Sequence, residues 1–213
     1  MVRQARALAT RHQIVKGAAE LFDRDGYERA TLAEIVDQSG LTKGALYFHF
    51  KSKDELAAVV IEEQHAISMS AVKAINGTGA PALEQIVMFC YEMKREMVDD
   101  PIVRAGIRLT LEMSAEAGPS KPYLDWIDSC EQMFHAAIEQ GDVLDTVDPA
   151  HLAHYFVSSF TGVQLVSNVL TARIDLDERI DQMLTFVLEA IVPSRRRHKI
   201  DRIRHARWVP AIA

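Results

Sequence analysis

The chain has 213 residues, 48% of them hydrophobic and 25% charged, and a formal net charge of −6. Such a composition excludes a mainly disordered chain and leaves material for one generous domain or two modest ones. Its two cysteines, Cys90 and Cys130, each sit inside an apolar stretch and read as buried free thiols rather than a disulfide or a metal pair.

The charge is unevenly spread. Residues 1–53 carry nine Lys and Arg against six Asp and Glu, a net +3; residues 54–193 carry eight against 23, a net −15; residues 194–213 carry seven against one, a net +6. These breaks suggest three parts: a basic head at 1–53, an acidic body at 54–193 and a basic tail at 194–213. Attraction to nucleic acid depends on local field, so the head can approach phosphate while the body is repelled. The opening MVRQARALATRHQ is polar, and no apolar run approaches the ~18 residues of a membrane span. The expectation is a cytoplasmic protein.

Apolar residues recur at helical spacing throughout, and no stretch alternates as a strand would. A first helix puts Ile14, Ala18, Leu21 and Phe22 on one stripe and stops at Gly26. Arg3, Arg6 and Arg11 ahead of that stripe read either as an arm that reaches DNA or as a disordered, solvated cluster. Thr31 and Glu34 form a capping box for a short second helix, which Gly40 ends. Thr42 caps a third, LTKGALYFHF. Ser52 and Glu55 predict a second capping box, opening a long fourth helix that ends at Asn76-Gly77-Thr78-Gly79. Pro81 opens a fifth helix with Leu83, Ile86, Val87, Cys90 and Met97 on one side. Asp100-Pro101 starts a sixth. Residues 117–122 read as a loop, and a seventh helix runs through Trp126, Met133, Phe134 and Ile138 to Gly141. Asp148-Pro149 starts an eighth, reaching about Leu170, and a ninth runs from Leu176 to Ile191 before Pro193. The fold class is all-α, about nine helices.

Two short helices joined by the tight QSGLT turn make a helix-turn-helix, whose second helix lies in the major groove of duplex DNA. Its polar groups are Thr42, Lys43, Tyr47 and His49, while Leu46, Phe48 and Phe50 are expected to pack inside. Lys43 can reach a base edge such as guanine O6/N7; Tyr47 and His49 suit phosphate. The candidate DNA contacts are Thr31, Thr42, Lys43, Gly44, Tyr47, His49 and Lys53. The stretch TLAEIVDQSGLTKGALYFHFKSKDEL, with RHQIVKGAAELFDRDGYERAT before it, resembles the DNA-binding signature of the TetR family. That resemblance implies a dimeric repressor of pseudo-palindromic operator DNA, with a three-helix head and a helical body for effector binding and dimerisation. It requires no cofactor.

The eighth helix, YFVSSFTGVQLVSNVL, is apolar nearly all round, and the ninth carries a broad apolar stripe. They are candidates for a four-helix dimer interface, or they only close the monomer's core. Inside apolar helices, Gln64, Trp126, Thr161 and Gln164 are candidates to line an effector site, and no ring of buried basic residues points to a multiply charged ligand. The segments RQARALATR, DPIVRAGIRLT, YLDWIDS and SFTGVQLVS resemble the γ-butyrolactone, or A-factor-type, receptors of actinomycetes. The resemblance implies that Trp126 packs on a small lactone-like signal, with Gln64 and Thr161 as hydrogen-bond candidates. Otherwise Trp126 is a core residue. Other hydrophobic effectors, such as drugs or fatty-acyl compounds, and a DNA-associated protein without an effector are the alternatives.

The tail, SRRRHKIDRIRHARW, reads first as disordered or loosely helical and solvated, second as docked on the acidic body, and third as extra phosphate contact. No GxSxG, HExxH, CxxC pair or P-loop is present, so no enzyme is expected. His151 and His154 lie one turn apart, with no third metal ligand in sight.

Overall fold

A computed structural model describes residues 2–114 and 118–210, with side chains from residue 4. Among the described residues there are ten α-helices and no strand: α1 (Val2–Asp25), α2 (Leu32–Ser39), α3 (Lys43–His49), α4 (Lys53–Asn76), α5 (Ala82–Asp99), α6 (Pro101–Glu112), α7 (Lys121–Glu139), α8 (Pro149–Thr171), α9 (Leu176–Ile191) and α10 (Ile200–Arg204), the last preceded by a 3₁₀ turn, Ser194–Lys199. The helices fall into two compact units. The first is residues 1–68 with 96–120, and the second is 69–95 with 121–213.

The caps expected from the residues stop and start the helices. Thr31 Oγ1 accepts from the Glu34 N–H at 3.3 Å, and the Glu34 carboxylate accepts from the Thr31 N–H at 3.0 Å. Gly40, at φ +66°, ends α2 in the left-handed region that favours glycine. Asp100 accepts from the Ile102 N–H ahead of α6, and Asp148 from Ala150 and His151 ahead of α8. Ser52 accepts from the Glu55 N–H, but Glu55 reaches back one residue further than a capping box requires, to the Lys51 N–H at 2.7 Å. Pro122 belongs to α7 rather than to the preceding loop. Proline is tolerated in a helix's first turn because the N–H there has no helical acceptor.

In the first unit, α1 packs against α2, α3 and α6. Ile14, Phe22, Ile35, Leu46, Phe50, Leu56 and Leu109 are buried together. Gly17 allows the close approach of α2, since a Cβ there would lie 3.1 Å from Ser39. Gln13 then donates to the Ser39 carbonyl at 2.7 Å. α6 grips the end of α1. Arg104 pairs with Asp23 at 2.6 Å, Arg108 donates to the Asp23 carbonyl at 2.7 Å, and Glu112 accepts from the Tyr27 N–H at 2.7 Å.

In the second unit, α7 packs on α8 and α8 on α9, with Phe134 and Phe156 edge to face at 5.5 Å. The basic tail departs from the first reading of it. It is folded onto its own unit: Ile200, Ile203 and Ala206 are buried. Lys199 and Arg196 both pair with the buried Asp142, Arg202 pairs with Glu84 and Arg204 with Asp181. The Arg207 guanidinium lies over the Tyr91 ring. A cationic segment next to an acidic body lowers its own repulsion by docking, and three apolar side chains at positions 200, 203 and 206 supply the face to bury.

Candidate nucleic-acid interface

α3 is a seven-residue helix held by the packing of two side chains four apart. Leu46 and Phe50 are 1% exposed and face the core of α1 and α4. The opposite face is open. Thr42, Lys43, Gly44 and Tyr47 are exposed there. Thr42 Oγ1 accepts from the Ala45 N–H at 3.2 Å, so its oxygen both caps the helix and faces solvent. Lys43 Nζ lies 5.8 Å from the centre of the Tyr47 ring, one turn on, an arrangement that extends both side chains from one surface. A Cβ at Gly44 would meet only Thr42 Oγ1, at 3.9 Å. The backbone is therefore open to close approach.

Phe48 does not pack inside as expected; it is 79% exposed. On a 3.6-residue helix, position 48 is two residues from both buried positions and falls on the far side. Its ring meets that of His49 edge to face at 5.0 Å, and His49 is half-buried between Phe48 and Phe50. An exposed phenyl among Lys43, Tyr47 and His49 is the feature that the residue pattern failed to identify, although the spacing carried the signal.

The other two candidates, Thr31 and Lys53, also make contacts within the head. The Thr31 hydroxyl donates to Glu34 at 2.7 Å. Lys53 Nζ donates to the Tyr27 carbonyl at 2.8 Å and stands 4.2 Å from the centre of the Tyr27 ring. Tyr27 in turn donates to Asp54. Burial first, and then this bond to a carboxylate, push the Tyr27 phenol up to about 12. The N-terminal stretch is not a loose arm but the start of α1. Arg6 is exposed there, while Arg11 pairs with Glu63 at 3.3 Å and lies over Phe50. The Arg3 side chain lies outside the described residues.

Of the effector candidates, Trp126 and Thr161 lie in the second unit and Gln64 in the first. Trp126 is buried and its ring meets Tyr123 edge to face at 5.1 Å. The Thr161 hydroxyl donates to the Val157 carbonyl at 2.8 Å. Gln64 is wholly buried and donates to Ser68, and Gln164 is buried in the second unit.

The outer face of α8 and α9 is apolar and uncovered. Tyr155, Leu165, Val166, Val169 and Leu170 on α8 and Phe186 on α9 are exposed. An open groove of about 470 Å³ runs between the two helices past Gly162, Val163, Val166, Met183 and Phe186. No helix among the described residues is long and apolar enough to cross a membrane.

A capped helix-turn-helix on a small helical core and a larger helical unit with an uncovered apolar face define a class. Residues 14–60 match the model of bacterial regulatory proteins of the tetR family, and residues 80–193 match the tetracyclin repressor-like C-terminal domain. The chain belongs to the TetR family. It is 38% identical over 191 residues to the A-factor receptor protein of Streptomyces griseus, covering 90% of this chain and 67% of that one. A crystal structure of a γ-butyrolactone receptor superposes with a TM-score of 0.82 at 35% identity, covering 93% of this chain and 96% of the other. The TetR family protein CprB of Streptomyces coelicolor, in complex with its operator sequence, superposes at 0.80 with 34% identity, over 93% and 96% of the two chains.

Proposed function

We propose that this protein is a dimeric transcriptional repressor that binds a pseudo-palindromic operator and is released from it by a small γ-butyrolactone-like signal. The observation that carries this reading is the open face of α3, where Lys43, Gly44, Tyr47 and Phe48 stand clear of the protein on a helix fixed at both ends. Two of the relatives that align along nearly the whole chain are an A-factor receptor protein and a γ-butyrolactone receptor.

The three parts then have separate tasks. Residues 1–53 read DNA, 54–193 bind effector and dimerise, and 194–213 brace the body. Lys43 addresses a base edge and Tyr47 and His49 the phosphates, with Thr31, Thr42 and Lys53 as further DNA contacts. The open backbone at Gly44 admits a phosphate closely. One short helix makes few base contacts, so two half-sites are needed for specificity. The uncovered α8–α9 face supplies the symmetric contact, two helices from each chain. Trp126, Thr161 and Gln64 are the proposed effector contacts. Its place of work is the cytoplasm, with the chromosome.

Release is a population shift. Effector favours a body conformation in which the two heads are no longer one DNA turn apart. It acts only to the extent of its differential affinity for the two states, typically ~1–3 kcal/mol. Within the first unit the grip of Arg104, Arg108 and Glu112 on the end of α1 ties any shift of α6 to the head. The test is a mobility shift on the promoter nearest the gene, titrated separately with butyrolactone, butenolide and furan signals, a drug and a fatty-acyl compound. Release by the lactone at the lowest concentration is expected. Lactone binding with operator affinity unchanged contradicts the mechanism, and release by another class alone replaces the effector.

A further inference from the structure

The match to the tetR-family model begins at residue 14, whereas α1 begins at Val2, so the helix starts about three turns earlier. This leading stretch, VRQARALATRHQ, contains Arg3, Arg6 and Arg11, and the first acidic residue of the chain is Glu20. Ala, Arg, Gln and Leu favour a helix by themselves, and the buried turns from Ile14 onward supply the nucleus on which it propagates. Gln4, Ala5, Arg6, Leu8 and Ala9 are exposed. The helix is thus prolonged beyond the core by residues that need no partner to remain helical.

Contacts further along α1 fix the side on which Arg6 stands. At 3.6 residues per turn, positions 6, 13, 17 and 20 share one face. The last three touch the end of α2. Gln13 donates to the Ser39 carbonyl at 2.7 Å, a Cβ at Gly17 would lie 3.1 Å from Ser39, and Glu20 accepts from Gln38 Nε2 at 2.6 Å. Arg6 continues this line two turns, about 10 Å, past Gln13. Gln38 and Ser39 lead through Gly40 into Thr42 and Lys43 at the start of α3, so the face that carries Arg6 runs on from the helix-turn-helix. Arg11 pairs with Glu63 and lies over Phe50, whereas Arg6 is exposed and makes no ion pair among the described residues.

We infer that the part of α1 ahead of Ile14 is a second DNA-binding element, in which Arg6 holds a backbone phosphate of the duplex adjoining those reached from the helix-turn-helix. Continuity and charge identify the partner. In a helix-turn-helix the first helix crosses the sugar-phosphate backbone while the second enters the groove, and the line from Glu20 to Arg6 starts at the end of that first helix. The stretch offers cations and no carboxylate, and an exposed guanidinium matches phosphate in shape as well as in charge. A phosphate contact carries no sequence information. Arg6 therefore adds affinity for any duplex and fixes the angle of the head, and leaves the choice of operator to α3. This rests on the DNA-binding reading above and adds a site to it.

The test titrates the full chain onto an operator duplex and onto a duplex of scrambled sequence, over a series of salt concentrations. Arg6→Gln is expected to weaken binding to both by the same factor, about tenfold, and to lower the slope of log K against log salt by about 2, one phosphate for each of two chains. Arg6→Lys is expected to keep the slope, and Lys43→Ala to weaken the operator more than the scrambled duplex. Arg6→Gln combined with Leu8→Arg restores the net charge on the far face of the helix and is expected to stay weak. An unchanged slope in Arg6→Gln overturns the inference. Full recovery in the double variant also overturns it, because charge without position then suffices, and so does a loss confined to the operator, which makes Arg6 a reader of sequence. Any of these results with the unaltered chain still bound to its operator leaves the helix-turn-helix reading standing, whereas an unaltered chain that prefers neither duplex removes both. Arg6 is exposed, so chemical denaturation is expected to be unchanged in every variant at position 6.

Discussion

Two regions of this molecule leave large apolar side chains in water, and they do so differently. On α3, Tyr47 and Phe48 stand among Lys43, Gly44, Thr42 and His49. On α8 and α9, Leu165, Val166, Val169, Leu170 and Phe186 form an apolar face with few charges between them. Rings among cations and hydroxyls suit a duplex, where phosphates accept hydrogen bonds and the thymine methyl offers apolar contact. A continuous aliphatic face suits another surface of its own kind, and two-fold symmetry supplies one. What lies between exposed apolar groups therefore says more about the partner than the exposure itself.

The largest expected effect breaks the second surface. Val169→Asp places a carboxylate in the proposed interface twice, once per chain, at a cost of several kcal/mol. Sedimentation should show monomers, and operator affinity should fall more than a hundredfold while the monomer stays folded. A dimer of undiminished stability would remove α8 from the interface. The next comparison is within α3. Phe50→Ala, at a buried position, should cost about 3–5 kcal/mol in chemical denaturation. Phe48→Ala, at an exposed one, should stay within about 0.5 kcal/mol yet weaken binding to operators that carry thymine beneath it. Similar stability losses in both would return Phe48 to the core.

Smaller effects sharpen the DNA-reading surface. Lys43→Ala and Tyr47→Ala should each weaken operator binding by about 1–3 kcal/mol in a mobility shift, with dimerisation intact; wild-type affinity in both would refute the contact assignment. The smallest is a pH effect on the scaffold behind that surface. The Tyr27 phenol ordinarily titrates near 10 and is raised to about 12 by burial and by its bond to Asp54. A raised value means that the folded state holds its proton more tightly. The contribution is therefore complete below pH 10 and is lost as pH climbs from 10 to about 12. Tyr27→Phe should flatten the decline of stability over that window, and an unchanged decline would show that other groups cause it.

Much of this was legible in the residues because the signals were local. Thr31 with Glu34, Gly40, Asp100-Pro101 and Asp148-Pro149 each act within one turn of chain, and each cap formed where its residues stand. The apolar stripe of Ile14, Ala18, Leu21 and Phe22 is buried as its spacing demands. The residues are least legible where composition outweighs spacing. Phe48 is the same residue type as Phe50, yet Leu46 and Phe50 already define the buried side. Charge dominates the tail, yet Ile200, Ile203 and Ala206 recur at helical spacing, and Asp142, Glu84 and Asp181 receive its arginines and lysine from distant segments. The bonds of Arg104, Arg108 and Glu112 to the end of α1 depend on contacts between helices, which no single helix pattern records.

The central claim is that two copies of this chain place α3 in successive major grooves of one duplex. Sedimentation equilibrium with a duplex carrying both half-sites, together with a hydroxyl-radical footprint, measures it directly. The account predicts two chains, or a multiple of two, per duplex and protection on one face of the DNA at centres about 34 Å apart, both lost in Val169→Asp. A single chain bound to one half-site as tightly as to the pair, with Lys43→Ala leaving the footprint unchanged, would contradict it.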